Sequence, residues 1–215
     1  MLRAVAHRIF LLSPASSGGE RAALLFRDQA RFDLARRLRG EGAPLGDVFS
    51  FLSGLYFRGK LTYARAFARP PEEMPGVLVI TPNAGLRSPE EPVTLGILRR
   101  FSTVPIDAAE ARYRRPLARD ARLLARSAPS DTEVVLLGSI ATGKYVDVLG
   151  RTFGDRLLFP ADFVGRGDMS RGGLLLRSAR TGRELRYTPV LGAARHGTRP
   201  PRLPRLPRSA RQAEP

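Results

Sequence analysis

Short apolar runs bounded by glycine and proline alternate along this chain with stretches in which apolar residues recur every three or four positions. The first run, residues 8–12 (RIFLL), ends at Ser13-Pro14 with Ser16, Ser17, Gly18 and Gly19 behind it, which is strand followed by turn chemistry. Over residues 20–39, Ala23, Phe26, Ala30, Leu34 and Leu38 form one stripe of an amphipathic helix, and Gly40 supplies its stop. A second helix is expected over 47–68, with Leu52, Leu55, Tyr56, Gly59, Tyr63 and Phe67 on its inner face and Arg58, Lys60, Arg65 and Arg69 pointing elsewhere. Pro70 and Pro71 end it, and Gly54 and Gly59 weaken it as a helix.

Residues 77–81 (VLVIT) read as the next strand. Asp107 and Glu110 make a capping-box pattern for a short helix, and Pro116 fits the first turn of a longer one carrying Leu117, Ala121, Leu124, Ala125 and Ala128. Residues 133–137 (EVVLL) form the clearest strand, followed by a loop over 138–143 and a helix through Leu149; 156–159 is a further short strand. Residues 173–178 and 183–190 read as a hairpin across Thr181-Gly182. Strands alternating with helical patterns predict an α/β fold, three-layered and Rossmann-like, with a mostly parallel central sheet ending in a C-terminal antiparallel hairpin. It spans residues 1–190. Residues 191–215 are rich in Pro and Arg, and the pattern predicts a disordered basic tail, serving either as an electrostatic arm for nucleic acid or as a passive end.

Composition narrows the chemistry. The chain has 36 Lys plus Arg against 20 Asp plus Glu, a net charge of +16, and its only lysines are Lys60 and Lys144. Arginine presents a planar fork of donors suited to phosphate, so nucleic acid or a nucleotide is the expected partner; solvated faces without a partner are the plainer reading. There is no cysteine, which excludes disulfides, thiolate zinc sites, cysteine nucleophiles and iron–sulfur clusters. With His7 and His196 as the only histidines, a His-rich metal centre or a Ser–His–Asp triad is not expected. No motif calls for a cofactor or metal, and no apolar run reaches the length of a membrane span, so a cytoplasmic protein is expected.

If the strands are parallel, four loops leave their carboxyl ends on one edge, where ligands bind in open sheets: 13–19, 82–91, 138–143 and 160–172. Gly138-Ser139-Ile-Ala-Thr142-Gly143-Lys144 matches the phosphate-loop spacing, with Tyr145 where the magnesium-binding hydroxyl belongs, so it is either an anion cradle or a tight strand-to-helix turn. In the stretch from Asp162 to Gly173, four glycines allow close backbone approach, Arg166 and Arg171 can fork onto phosphate with Ser170 beside them, and Asp162 or Asp168 can act as base. Its alternative reading is a flexible connection in which Asp168 and Arg171 pair. Ser13 and Asn83 complete the candidate pocket, Asn83 as a reader of a base edge or as a turn residue before Gly85. Arg58 and Lys60, beside aromatic residues, and Arg199, Arg202 and Arg205 in the tail are candidate nucleic-acid contacts.

The segment EVVLLGSIATGKYVDVL at 133–149 resembles the strand–turn–helix unit of the uracil-DNA-glycosylase-like superfamily, and 55–86, with YFRGKLTYARAF and VITPNAGL, looks like an uncharacterised bacterial family associated with that fold. The resemblance implies a three-layer α/β fold and a pocket that handles a nucleobase. It carries over no catalytic residue, because the family's Gly-Gln-Asp-Pro and His-Pro-Ser signatures have no counterpart here. The expected function is that of a nucleic-acid-associated protein that binds or processes a nucleobase or nucleotide. The alternatives are a noncatalytic RNA- or DNA-binding protein and a degenerate phosphate-loop protein centred on Lys144. Were a glycosidic bond cleaved, Asp168 or Asp162 would stabilise the developing cation while Arg166 and Arg171 hold phosphates.

Overall fold

A computed structural model describes residues 6–201 and 203. In chain order the elements are β1 (Arg8–Leu12), α1 (Glu20–Phe26), α2 (Asp33–Arg39), β2 (Ala43–Pro44), α3 (Leu45–Ser53), α4 (Leu55–Phe67), β3 (Val77–Ile80), β4 (Leu86–Arg87), β5 (Pro92–Val93), α5 (Leu95–Ser102), α6 (Ala111–Ser127), β6 (Glu133–Leu137), α7 (Gly143–Phe153), β7 (Leu157–Pro160), α8 (Asp168–Thr181) and β8 (Tyr187–Pro189), with 3₁₀ turns at Gly154–Arg156 and Ala161–Phe163. The central sheet runs β4-β3-β1-β6-β7-β8; its inner four strands are parallel, and β4 and β8 close the edges antiparallel. β2 and β5 pair separately. β1 is buried along its whole length and β6 along all but its first residue, as central strands covered on both faces require. Helices α3, α4 and α8 pack as one group against β1 and β3, and α6 and α7 pack together as another, against β4 and β7 respectively, giving helices on both sides of the sheet.

The chain departs from the sequence pattern where tertiary contacts outrank periodicity. The single helix expected over 20–39 is two, and Ala22, Leu25, Ala35 and Leu38 are its buried residues while Ala23 is exposed. Arg39 fixes the break by donating to the carbonyls of Leu25, Arg27 and Ala30, at the end of the first helix and in the turn that follows it. The helix expected over 47–68 also divides, at Gly54, whose φ of 61° suits glycine. Pro116 lies inside α6, whose N-cap is Glu110. The C-terminal antiparallel pairing is present, but β8 pairs with β7, and residues 173–178 belong to α8. Part of the tail packs: the Thr198 carbonyl lies against Gly165, and Arg199, Pro200, Pro201 and Leu203 face α8 across a shallow groove. Arg202 and Arg205 lie outside the described residues.

At the opposite edge from the four candidate loops, Arg8 pairs with Glu133 and Glu184, Arg69 with Glu184, and Tyr63 and Tyr187 share a 2.6 Å hydrogen bond. Burial opposes the charge on Arg8, yet its two carboxylates outweigh that and hold its pKa up. This cluster ties β1, β6 and the approach to β8 together, and it anchors the sheet from its amino end.

Helices α4 and α8 make the most extensive contact among the described elements. Their axes meet at glycines: a Cβ on Gly59 would stand 2.7 Å from the Gly172 carbonyl oxygen, and one on Gly172 would stand 2.9 Å from the Leu55 carbonyl oxygen and from Tyr56 Cα. Backbone cannot yield as a flexible side chain does, so Gly59→Ala and Gly172→Ala should each destabilise the fold by roughly 1–3 kcal/mol. Gly150, inside α7, has open space where a Cβ would stand, with nothing within 4 Å. It should behave oppositely, Gly150→Ala gaining about 0.5–1 kcal/mol. Denaturant unfolding of the three variants checks the pair of signs.

Candidate functional site

The parallel assignment puts the ends of β1, β3, β6 and β7 on one edge, so the four loops do leave the same side of the sheet. From β1 the chain steps outward to β3 on one side and then crosses to β6 on the other, so the order reverses between β1 and β6. At such a switch point the two following loops diverge and leave a crevice. Ser13 and Gly138 open these loops and touch: the Ser13 N–H donates to the Leu137 carbonyl, and a Cβ on Gly138 would lie 3.0 Å from Ser13 Cβ. Above them a cavity of about 530 Å³ is lined by Pro14, Ala15, Ser16, Pro82, Lys144 and Tyr145, and closed on its far side by residues 101–106.

Lys60 is the group that sequence reasoning misplaced. It is 1% exposed, and its ammonium donates to the Ser13 carbonyl at 2.5 Å and to Ser13 Oγ at 2.7 Å. The rings of Tyr56 and Phe57 stand 4.5 and 5.0 Å from Nζ. The close Gly59–Gly172 crossing turns this stretch of α4 inward, which helical periodicity alone did not show. No carboxylate pairs with it among the ion pairs of the described residues. Burial therefore pushes its pKa down to about 7; Asp168 opposes the shift, and Lys144 and Arg171 add to it. Burial pushes the Tyr56 hydroxyl up to about 12, and the Arg171 guanidinium beside it opposes the shift. Tyr145, likewise shifted upward by burial, interacts with Ser13 through its hydroxyl.

The remaining candidates separate. Arg58 is exposed on α4. In the Gly138 loop, Ser139 Oγ accepts from Ala141 N–H and Thr142 is the N-cap of α7 without a side-chain bond. The Asp147 carboxylate packs against Gly143 where a Cβ would stand, and Lys144 Nζ lies 5.2 Å from the Tyr145 ring. A carboxylate so placed disfavours a second anion on Gly143. Asn83 donates to the Arg100 carbonyl at 2.8 Å, tying the β3–β4 turn to the end of α5.

The Gly-rich stretch is not an open loop. Asp168 begins α8, and close approach at Gly172 and Gly165 is to α4 and to Thr198 of the same chain, in place of a ligand. Arg166 donates to the Asp162 carbonyl and to Ser170 Oγ, while Arg171 donates to the Phe163 carbonyl, stacks on its ring at 5.3 Å and lies 3.7 Å from Asp168. Both arginines are thus engaged in holding the 161–171 segment. Asp162 is exposed and the Asp168 side chain is 69% exposed.

A feature not singled out from the sequence is α6, whose Arg112, Arg114, Arg115, Arg119, Arg122 and Arg126 lie around a buried stripe of Tyr113, Leu117, Ala121 and Leu124. A groove of about 1010 Å³ on one side of α6 carries Arg87, Arg100, Arg112, Arg115 and Arg119 along with Asn83; one of about 800 Å³ on the other carries Arg114, Arg115, Arg122, Arg126 and Arg151. Phe101, Thr103 and Val104 line both the first groove and the switch-point cavity, so the two adjoin across the end of α5. The arginine spacing was legible, because the apolar stripe of this helix leaves the arginines off its inner face.

No family model, curated protein or solved structure matches the chain. No helix among the described residues is long and apolar enough to cross a membrane.

Lys60 gives the site a pH signature. The folded state sheds this proton near pH 7, whereas the unfolded chain keeps it to the ordinary lysine range, so stability should climb as pH rises from about 7 toward 10. The slope is limited to about 1.4 kcal/mol per pH unit for one proton. Above pH 10 the trend should reverse, because Tyr56 and Tyr63 are held up to about 12 and ionise first in the unfolded chain. Urea midpoints between pH 7 and 9.5 should rise for the parent and stay flat for Lys60→Met; parallel curves would show that Lys60 does not carry the effect.

Proposed function

We propose that this chain is a cytoplasmic nucleic-acid-binding protein, on a Rossmann-like scaffold akin to the uracil-DNA-glycosylase-like fold, that tracks a phosphate backbone along α6 and admits a base or nucleotide to the cavity between β1 and β6. The observation that carries this reading is that the Arg87–Arg100–Arg112–Arg115–Arg119 groove adjoins that cavity, the two sharing Phe101, Thr103 and Val104 as lining. Exposed arginines in a row supply the sequence-independent attraction to phosphates. The cavity supplies what an arginine-lined groove lacks, apolar and aromatic walls at Pro14, Pro82 and Tyr145 with hydroxyls from Ser16, Ser102 and Thr103 at hand. Lys144, on the same wall, offers a cation to a nucleotide phosphate.

Glycosidic cleavage by Asp162 or Asp168 is not part of the proposal, since the first is exposed and the second, itself mostly exposed, is paired with Arg171. Arg58 and the tail arginines are secondary to α6 in this reading.

The triple variant Arg112→Ala, Arg115→Ala, Arg119→Ala should bind single-stranded oligonucleotide more weakly at every sequence. Its slope of log affinity against log salt should be shallower by about 2, near 0.7 for each phosphate that the variant leaves unneutralised. Fluorescence anisotropy across a range of about 50–200 mM salt measures both. Identical slopes for parent and variant would remove α6 as the interface.

A further inference from the structure

The Ser13–Lys60 pair lies outside the basic grooves, and nucleic-acid binding makes no use of it. Three observations converge on it. Ser13 Oγ is 2.7 Å from Lys60 Nζ, the spacing of a hydroxyl and the base that takes its proton. The amine is sealed from water and pairs with no carboxylate among the described residues, so the charged form gains little there beyond two bonds to one serine and the faces of two rings. The pair sits at the carboxyl end of β1, at the switch point: Pro14, the next residue, and Tyr145, whose hydroxyl interacts with Ser13, both line the 530 Å³ cavity.

We propose that Ser13 and Lys60 are a nucleophile and its general base for acyl transfer, acting on a carboxylic ester or amide seated in the cavity beside them. The Ser13 oxygen bonds to the carbonyl carbon as its proton passes to neutral Lys60, and the carbonyl oxygen takes up the electron pair. Collapse of that intermediate breaks the bond to the leaving alcohol or amine, which receives the proton from Lys60. Water then attacks the acyl-serine, again giving its proton to Lys60, and the serine leaves with that proton restored. The net reaction is hydrolysis, with no oxidant, metal or cofactor needed. Tyr56 Oη, buried beside Lys60 with Arg171 next to it, is an O–H donor for the oxyanion, and its raised pKa keeps it protonated through the working range.

The charged and titratable groups facing Lys60 come from every element around it: Tyr56 on its own helix, Lys144 and Tyr145 on α7, and Asp168 and Arg171 on α8. Lysine and arginine neighbours favour the neutral amine, and the Asp168 carboxylate limits the shift. A lysine that merely props up the Ser13 carbonyl would not make Ser13 reactive.

The test uses the full chain and phenylmethanesulfonyl fluoride, which forms a sulfonate ester on an activated serine as fluoride leaves and the proton goes to the base. We expect one adduct per chain by intact mass, mapped to Ser13, with a labelling rate that rises through pH 7 and levels above it. Ser13→Ala should lose the adduct, and Lys60→Met should slow labelling by about 100-fold with an unchanged circular-dichroism spectrum. Should Lys60→Met fail to fold, the pH profile of the parent decides alone. No adduct on the parent, an adduct elsewhere than Ser13, or a rate flat through pH 7 would overturn the proposal. Because α6 is untouched in these variants, oligonucleotide binding tests the other reading separately.

Discussion

Helices α4 and α8 touch backbone to backbone at Gly59 and Gly172, and the chemistry at the carboxyl edge of the sheet depends on how close that crossing is. Packing through side chains would hold the axes about 8–10 Å apart. Here the missing side chains let α8 approach until its carbonyl at Gly172 meets Gly59. Lys60, one position along α4, is then enclosed, and Asp168 and Arg171 on the first turn of α8 come into electrostatic reach of it. The same approach buries Tyr56, whose ring stands beside Lys60 Nζ and Phe163.

Magnitudes decide the state of that lysine. Each ring contact is worth on the order of 0.5–2 kcal/mol to an ammonium. Bonds to Ser13 add to this, but taking an ammonium out of water costs several kcal/mol even after relaxation. Desolvation wins, as the downward displacement to about 7 records. At the other end of β1, Arg8 is also mostly buried and the balance falls the opposite way, because Glu133 and Glu184 pair with it. One strand therefore carries a paired cation at its amino end, which holds the fold together, and beyond its carboxyl end stands one with no carboxylate paired to it among the described residues, which holds a proton loosely.

The sheet was legible because β1 and β6 are each four apolar residues headed by a charged one, bounded by turn signals, and the parallel order of their neighbours follows from the helices between them. The break between α1 and α2 was not, since Ala23, Phe26, Ala30, Leu34 and Leu38 keep a helical spacing straight across it. That break is made by Arg39, a residue from the far end of the second helix. Reading α8 as half of a hairpin has a related cause: Gly172 and Gly173 weaken any local preference for helix, and only contact with α4 explains why glycine stands at 172. Lys60 was placed outside because lysine nearly always is. The loops converge on the expected edge, while the individual side chains that matter there were fixed by contacts between elements far apart in sequence.

Charge was visible as a total and not as a distribution. The apolar stripe of α6 places Arg112, Arg115, Arg119, Arg122 and Arg126 in succession at spacings of three and four, so four like-charged neighbour pairs run along one face. Each such pair is unfavourable by about 0.2–0.5 kcal/mol, on the order of 1–2 kcal/mol for the helix. Glu110 and Asp120 relieve Arg112 and Arg119, leaving the rest to solvent. None of these arginines lies in the core, so the fold gains little from them in return. A helix that carries this repulsion beside two grooves, one of them adjoining the switch-point cavity, has its field reduced when a polyanion lies along it, and it is there that the net charge of +16 acquires a direction.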